Sequence, residues 1–400
     1  MRCGPNATVL ALLVAGAAAL GCPAAGRADP YVPADDHEVL ERLALSPLDP
    51  GARRLQTLRG ELTIHPDNLA LATRVAWLYI EQGRALSDPR YFGYAQGVLT
   101  PWWLASDPPV TVLVLRATIR QHDHDFPSAL HDLSQALRTD PTNVQAWLTQ
   151  AVVLQVRGEY AEAKRSCLEV LQRSSPLVAA TCLSGVESLN GGAEKSYDLL
   201  RRVLGQSPDA DAGVRVWALT TLGEIAARTG RAQVAEEHFQ QALSLGRTDD
   251  YLLGAYADFL LDQGRASAAR DLLKDATRAD ALLLRLALAE QALGSPQLAS
   301  HVQTLQDRFA AAHLRGDTVH RREEARFALR LLGEPRAAVQ LARDNWEVQR
   351  EPWDARILLE SALASGDYAA AQPVIEFLAR TALEDAALAH LAGLLPSAQR

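Results

Sequence analysis

The stretch that decides the fold is residues 216–246, VWALTTLGEIAARTGRAQVAEEHFQQALSLG. One face of a first helix carries residues at the spacing i, i+3, i+4 and i+7: Leu219, Leu222, Gly223 and Ala226. Gly230 follows, and a glycine at that place ends a helix by adopting a left-handed conformation. One stripe of a second helix then carries Ala235, Phe239 and Ala242. The stretch therefore predicts a helical hairpin whose small residues let the two backbones approach closely.

The pattern recurs along the chain at one constant interval. The matching pairs are Ala117 with Ala151, Ala129 with Ala163, Gly230 with Gly264, Ala235 with Ala269, and Ala242 with Ala276. A constant interval of this length is typical of repeat proteins, because one hairpin buries only one of its sides and must stack on its neighbours.

The repeated unit resembles the tetratricopeptide repeat, which has a small residue within its first helix, a glycine at the turn, and alanines around one large apolar residue in its second helix. The residues that carry the resemblance are Trp147, Ala151, Gly158, Tyr160 and Ala163 in one hairpin, Gly223, Gly230, Ala235, Phe239 and Ala242 in another, and Ala257, Gly264, Ala269, Leu273 and Ala276 in the next. The resemblance implies an all-α fold, an α-solenoid that forms a right-handed superhelix of about eight or nine helix-turn-helix hairpins.

The expected organisation places these hairpins over residues 69–379, with the strongest matches over 110–280. Residues 29–68 are expected to form N-terminal capping helices, and residues 380–400 a C-terminal capping helix and tail. The aromatic residues Tyr91, Phe92, Tyr94, Trp102 and Trp103 lie in a segment longer than the repeat needs. They predict either a satellite core that holds an extended loop on the stack or an exposed recognition patch.

The N-terminal segment 1–28 has the features of an export signal. Arg2 precedes the apolar run Ala7–Leu20, whose length matches a signal peptide and is too short to span a bilayer comfortably. Cleavage before Asp29 would follow small residues, whereas Leu20-Gly21-Cys22 resembles a lipoprotein signal and would place a lipid on Cys22. The sequence therefore predicts an exported, periplasmic or envelope-associated protein that meets a membrane only through its signal or a lipid anchor.

The net charge restricts the class of partner that the protein can bind. The net charge is −8, and an acidic surface repels phosphate backbones, so nucleic acid is not expected as a partner.

Outside the signal region the cysteines are Cys167 and Cys182. They form either a disulfide, as an oxidising compartment would allow, or two small apolar contacts between neighbouring helices.

A search for catalytic motifs gives one weak candidate. The sequence contains no phosphate-binding loop, dinucleotide-binding glycine pattern, nucleophile elbow or His-Glu-x-x-His motif. His122-Asp123-His124-Asp125, with His131 and Asp132 downstream, carries side chains that bind zinc and similar ions. A metal-dependent hydrolase at His122 and His124 is therefore an alternative, but a solvated turn explains the motif better. No catalytic residue, cofactor site or metal site is predicted.

The favoured function is protein binding in the concave groove of the solenoid, by a scaffold or adaptor of the cell envelope. The resemblance implies that the first helix of each hairpin faces the groove. The residues that it places there are Trp217, Thr220, Glu224, Arg228, Tyr251, Asp258, Asp262, Trp353, Arg356 and Glu360. The partner would be a peptide or a protein domain. A second hypothesis is a lipoprotein subunit of an envelope assembly or secretion complex.

Overall fold

The computed structural model describes residues 50–246, 249–317 and 319–396. The predicted signal segment 1–28, the possible lipidation site at Cys22 and most of the predicted N-terminal cap lie outside the described residues. Within these ranges, all regular secondary structure is helical. The helices are α1 (Pro50–Ile64), α2 (Leu69–Leu86), α3 (Arg90–Trp103), α4 (Val110–His122), α5 (Phe126–Thr139), α6 (Val144–Val156), α7 (Tyr160–Leu171), α8 (Pro176–Glu187), α9 (Ala193–Gly205), α10 (Ala212–Arg228), α11 (Ala232–Ser244), α12 (Asp250–Asp262), α13 (Ala266–Leu273), α14 (Asp280–Leu293), α15 (Leu298–Leu314), α16 (Arg321–Phe327), α17 (Pro335–Trp346), α18 (Pro352–Ser365), α19 (Gln372–Thr381) and α20 (Ala386–Leu394).

The helices from α2 to α19 pair in chain order as nine antiparallel hairpins, counted over the described ranges. The even-numbered helix of each hairpin also packs on the even-numbered helix of the next, so that these helices form one continuous row. Helix α1 packs on α2 at one end, and α20 packs on α18 at the other. The prediction of an all-α solenoid is confirmed, and the hairpins are tetratricopeptide-like.

The hairpin of α10 and α11 shows why its sequence folds in this way. Gly223 on α10 lies so close to the ring of Phe239 on α11 that a Cβ atom on the glycine would come within 2.8 Å of it. Gly230 ends α10 with a φ of +78°, the left-handed conformation expected at the turn. Ala235 and Phe239 are buried in a core cluster that extends to the neighbouring hairpins. The residues that predicted the hairpin are therefore those that hold it together.

The aromatic segment between the first two hairpins is a helix rather than an extended loop. Phe92, Ala95 and Leu99 lie at successive helical turns of α3, and all three are buried against α2 and α4. Tyr94 is 51 % exposed and contacts the ring of Tyr79 on α2 at 5.6 Å. The segment is thus the second helix of the first hairpin. The core alternative is therefore correct, since Phe92 is buried and Tyr91, Trp102 and Trp103 pack against the same cluster. The expected loop was wrong, because the apolar spacing forms a helix.

The C-terminal hairpins contact the turns of earlier hairpins, far away in sequence. The backbone N–H of Arg350 donates to the carbonyl oxygen of Val156 at 2.7 Å, and the backbone N–H of Ala193 donates to Glu384 Oε1 at 3.1 Å. The ring of Phe377 lies against Gly158, where a Cβ atom would approach it to 2.6 Å. One core cluster accordingly joins α6, α7 and α8 with α16 to α20.

Cys167 and Cys182 form a disulfide between α7 and α8, with their Cα atoms 5.6 Å apart. Both residues are buried in the cluster that joins these helices to the C-terminal hairpins. The structure therefore resolves the alternative left open by the sequence. A cross-link over a sequence separation of 15 restricts the unfolded chain and stabilises the fold by about 3 kcal/mol.

Candidate functional site

The ten predicted groove residues lie on three of the even-numbered helices. Helix α10 carries Trp217, Thr220, Glu224 and Arg228, α12 carries Tyr251, Asp258 and Asp262, and α18 carries Trp353, Arg356 and Glu360. We call the sides of these helices that carry the ten residues the inner face. Its residues fall into two parts: ion pairs join Asp262 on α12 to α18, whereas a hydrogen bond joins Tyr251 on α12 to Glu224 on α10.

In the first part, ion pairs connect α12 with α18. Arg356 donates to both oxygens of Asp262, at 2.6 and 2.8 Å, and its Nε donates to Glu360 at 2.9 Å. Arg330 adds a second cation to Glu360 at 2.9 Å. These arginines hold the pKa of Glu360 below its usual value, although burial alone would raise it. These groove residues thus bind partners within the chain.

Asp258 is the most enclosed acid of this part, with 3 % of its surface exposed. It accepts hydrogen bonds from Arg285 at 2.6 and 2.9 Å and from Arg326 at 2.7 Å. Burial would raise the pKa of the carboxyl, but the two guanidinium groups hold it below its usual value. Arg326 and Arg356 each lie 4.3 Å from the ring centroid of Trp353, in cation–π contacts. We call the network around Asp258, Asp262, Trp353, Arg356 and Glu360 the closed part.

The second part has a carboxyl without an ion pair. The hydroxyl of Tyr251 donates to Glu224 Oε1 at 2.7 Å, and no cation forms an ion pair with Glu224 in the ranges that the structure describes. Burial raises the pKa of Glu224 to about 7, an effect that Glu351 and Asp258 reinforce and that Arg228 opposes. Tyr251 is nevertheless 61 % exposed, so solvent reaches this pair.

Two further polar side chains, those of Arg228 and Tyr160, share the electrostatic surroundings of Glu224, because Arg228 and Glu351 act on both Glu224 and Tyr160. Arg228 donates from Nη2 to Ser188 Oγ at 3.0 Å, but its buried Nε has no hydrogen-bond partner among the described residues. Tyr160 is 4 % exposed, and its buried hydroxyl likewise has no partner there. Burial, followed by the charge of Glu351, raises the pKa of the Tyr160 hydroxyl. We call Glu224, Arg228 and Tyr251 the open part.

The remaining two groove residues, Trp217 and Thr220, pack within the fold. Trp217 is half-buried and packs against the cluster that joins α6, α7 and α8 to the C-terminal hairpins. Thr220 is 2 % exposed, and its hydroxyl donates to the carbonyl oxygen of Val216 at 2.8 Å. Thr220 therefore presents no surface to a partner in this structure.

Sequence reasoning missed the contributions of Tyr160, Ser188 and Glu351 to this region. Tyr160 is one of the residues that carry the repeat pattern, while Glu351 lies in the connection before α18. The three residues come from different hairpins, and no sequence period links them to Glu224. Only the folded structure shows that Ser188 accepts from Arg228 and that the charge of Glu351 acts on Glu224 and Tyr160.

The side chains of the histidine motif diverge instead of converging on one point. The ring of His122 stacks on Phe92 with centroids 3.6 Å apart, whereas His124 Nδ1 lies 3.0 Å from Gln349 Nε2. Burial lowers the pKa of both histidines to about 4. Asp132 is bound by Arg116 and Arg120 at 2.6 and 2.7 Å. Within the described ranges, no three His, Cys, Asp or Glu residues are grouped so that they could hold a metal ion.

Among the helices of the described ranges, none is long and apolar enough to cross a bilayer.

Comparison with known proteins gives matches only among solved structures. No family model and no curated protein matches the chain. A tetratricopeptide repeat protein from Parabacteroides merdae has 15% identity and a TM-score of 0.43, with 60% of this chain and 92% of that chain covered. PilW, a type IV pilus biogenesis factor, has 19% identity and a TM-score of 0.39, with 50% and 94% covered. The Cut9-Hcn1 hetero-tetramer of the APC/C has 14% identity and a TM-score of 0.38, with 78% and 52% covered.

Proposed function

We propose that the protein is an exported scaffold that binds another protein through the open part of its inner face. The observation that carries this proposal is the state of Tyr251, which is 61 % exposed beside an acid without an ion pair. An exposed tyrosine next to polar groups with free hydrogen-bonding capacity is typical of residues that anchor protein interfaces. The closed part contributes less, because its charged groups already bind one another.

Two observations support export. The apolar run Ala7–Leu20 has the length of a signal peptide, and the disulfide between Cys167 and Cys182 is of a kind that forms and persists in oxidising compartments.

A lipid on Cys22 would instead make the protein a lipoprotein subunit of an envelope complex. Intact mass measurement of the exported protein distinguishes the two, because cleavage before Asp29 removes Cys22 whereas lipidation retains and modifies it.

Site-specific crosslinking tests the proposed binding surface. The photoreactive residue p-benzoylphenylalanine replaces Tyr251 in the full chain, which is produced in cells and illuminated. Leu171 on α7 provides the matched control, since it is 50 % exposed and lies outside the inner face. We expect a discrete crosslinked protein from position 251 and none of that mass from position 171. Equal crosslinking from both positions, or none from position 251, would contradict the proposal.

A further inference from the structure

The ion pairs of the closed part join helices that are not neighbours in the row of even-numbered helices. Helices α12 and α18 lie three places apart in this row, and packed helices are about 8–10 Å apart, so a straight row would separate their axes by about 24–30 Å. Arg356 on α18 nevertheless donates to both oxygens of Asp262 on α12, at 2.6 and 2.8 Å. The row is therefore so strongly curved that the inner faces of α12 and α18 meet.

The contact between α12 and α18 is polar. Among the described helices, α12 packs on α14, and α16 packs on α18, but no comparable backbone packing joins α12 to α18. The buried apolar residues of α12 and those of α18 also belong to different core clusters. The two helices are therefore held together by charged side chains and not by a shared apolar core.

Two ion pairs reach α12 from the last two hairpins, and they differ in burial. Arg326 on α16 donates to Asp258 at 2.7 Å, and the Asp258 side chain is 4 % exposed. The Asp262 side chain, which Arg356 binds, is 38 % exposed. Breaking a buried pair leaves an uncompensated charge, whereas an exposed pair contributes little to stability. The pair at Asp262 is therefore the one that can open at low cost.

Each member of the exposed pair has an alternative when the pair is broken. Arg356 keeps the hydrogen bond from its Nε to Glu360 at 2.9 Å, within α18. The Asp262 carboxylate is open to water, which can hydrate it. The buried pair between Arg326 and Asp258 stays in place and fixes α16 against α12. Opening is thus confined to the Asp262 end of the contact and unfolds no hairpin.

The start of α18 is electrostatically coupled to the open part. Glu351 caps the first turn of this helix, where its side chain accepts from the backbone of Asp354. The charge of Glu351 acts on both Glu224 and Tyr251. Arg356 follows within the first two turns of the same helix. A displacement of α18 from α12 therefore changes the space and the charge beside Tyr251.

Resting on the proposed function, we propose that the ion pair between Asp262 and Arg356 is a reversible clasp that regulates how readily the partner protein reaches the open part. When the clasp is formed, α18 is held against α12 and the inner face beside Tyr251 is narrow. When a segment of the partner enters between the two helices, Arg356 is displaced from Asp262 and α18 moves away from α12.

Distances between spin labels test the clasp without a partner. Cysteines that carry nitroxide labels replace Ser267 on α13 and Ala364 on α18, both exposed, in the full exported chain, and double electron–electron resonance measures their separation. Asp262→Arg places a like charge against Arg356, so we expect it to raise the population with the longer separation at least about threefold. Asp262→Glu keeps the charge and should keep the shorter separation. Asp198→Arg, the same charge change at an exposed acid of α9, is the matched control and should also keep it.

Crosslinking then connects the clasp to partner binding. In the chain with p-benzoylphenylalanine at position 251, Asp262→Arg should raise the yield of crosslinked partner, whereas Asp198→Arg should not. An unchanged separation in Asp262→Arg, or an unchanged yield in a variant whose separation has lengthened, would overturn the clasp. Absence of any crosslink at position 251 would instead contradict the scaffold function, and the label distances would still decide whether the clasp exists.

Discussion

Glu224 and Asp258 occupy the same place in successive hairpins, one repeat interval apart, yet their chemistry is opposite. Asp258 is bound by Arg285 from α14 and Arg326 from α16, which hold its pKa below the usual value. Glu224 has only a tyrosine hydroxyl, and burial raises its pKa to about 7. The place in the repeat therefore determines where a side chain lies, whereas the neighbouring hairpins determine whether it forms an ion pair.

The largest loss of stability is expected when Asp258, the most enclosed acid of the closed part, is replaced. Asp258→Ala leaves Arg285 and Arg326 without their shared carboxylate, and removing one member of a buried ion pair costs about 3–5 kcal/mol of unfolding free energy. Urea denaturation at pH 6 measures the loss. The matched variant Glu224→Gln should change the unfolding free energy by no more than about 0.5 kcal/mol. Similar losses in both variants would remove the distinction between the two parts.

The second prediction concerns two turn glycines, Gly158 in the third hairpin and Gly230 in the fifth. Both have positive φ, at +74° and +78°, so replacement by alanine costs each about 1 kcal/mol in backbone strain. Only at Gly158 would the new Cβ atom meet the ring of Phe377, whereas it meets nothing within 4 Å at Gly230. We expect Gly158→Ala to lower the unfolding free energy by about 1–3 kcal/mol more than Gly230→Ala does, because the new methyl group overpacks against Phe377.

Thermal or urea unfolding of both glycine variants measures this difference. Because the strain of the turn is common to the two, the excess loss at Gly158 reports the contact with the C-terminal hairpins alone. Equal losses would mean that Phe377 moves aside without cost. The addition of Phe377→Ala to both variants provides the control, since it should abolish the excess.

The hairpins could be predicted from the sequence because their contacts are local. Gly223 and Phe239 lie on the two helices of one hairpin, and the spacing that brings them together repeats along the chain. The closed part could not be predicted in this way. Arg326 and Arg356 reach Asp258 and Asp262 across 68 and 94 residues, and no period connects them. The sequence can therefore assign these side chains to helix faces, but which of them form ion pairs depends on how the later hairpins pack.

The third prediction is a pH dependence that belongs to the open part. Glu224 has a folded-state pKa of about 7, above that of an unfolded glutamate, so the folded protein binds more protons between the two values. Its contribution to stability is therefore fully present at low pH and is lost as the pH rises through 7. We expect the unfolding free energy of the wild-type protein, relative to Glu224→Gln, to fall by about 1–2 kcal/mol from pH 5.5 to pH 8.

Denaturation of both proteins across this pH range isolates the contribution of Glu224, because other groups titrate equally in the two. Asp354, whose pKa is also raised to about 7, is one such group and should cancel in the difference. A difference that stays constant with pH would show that Glu224 is ionised throughout, as Asp258 is.

The smallest effect concerns the hydrogen bond between Tyr251 and Glu224. Tyr251→Phe removes a donor from a side chain that is 61 % exposed, so the unfolding free energy should change by no more than about 0.5 kcal/mol. The hydroxyl stabilises the ionised form of Glu224, and its removal should therefore raise the pKa of Glu224 further. Carbon-detected NMR titration of the Glu224 carboxyl measures this shift. Tyr256→Phe, at a tyrosine that donates to Glu236 on α11, is the control and should leave Glu224 unchanged. A lower pKa of Glu224 in Tyr251→Phe would mean that water solvates the carboxylate better than the tyrosine does, and the open part would then be less enclosed than its contacts indicate.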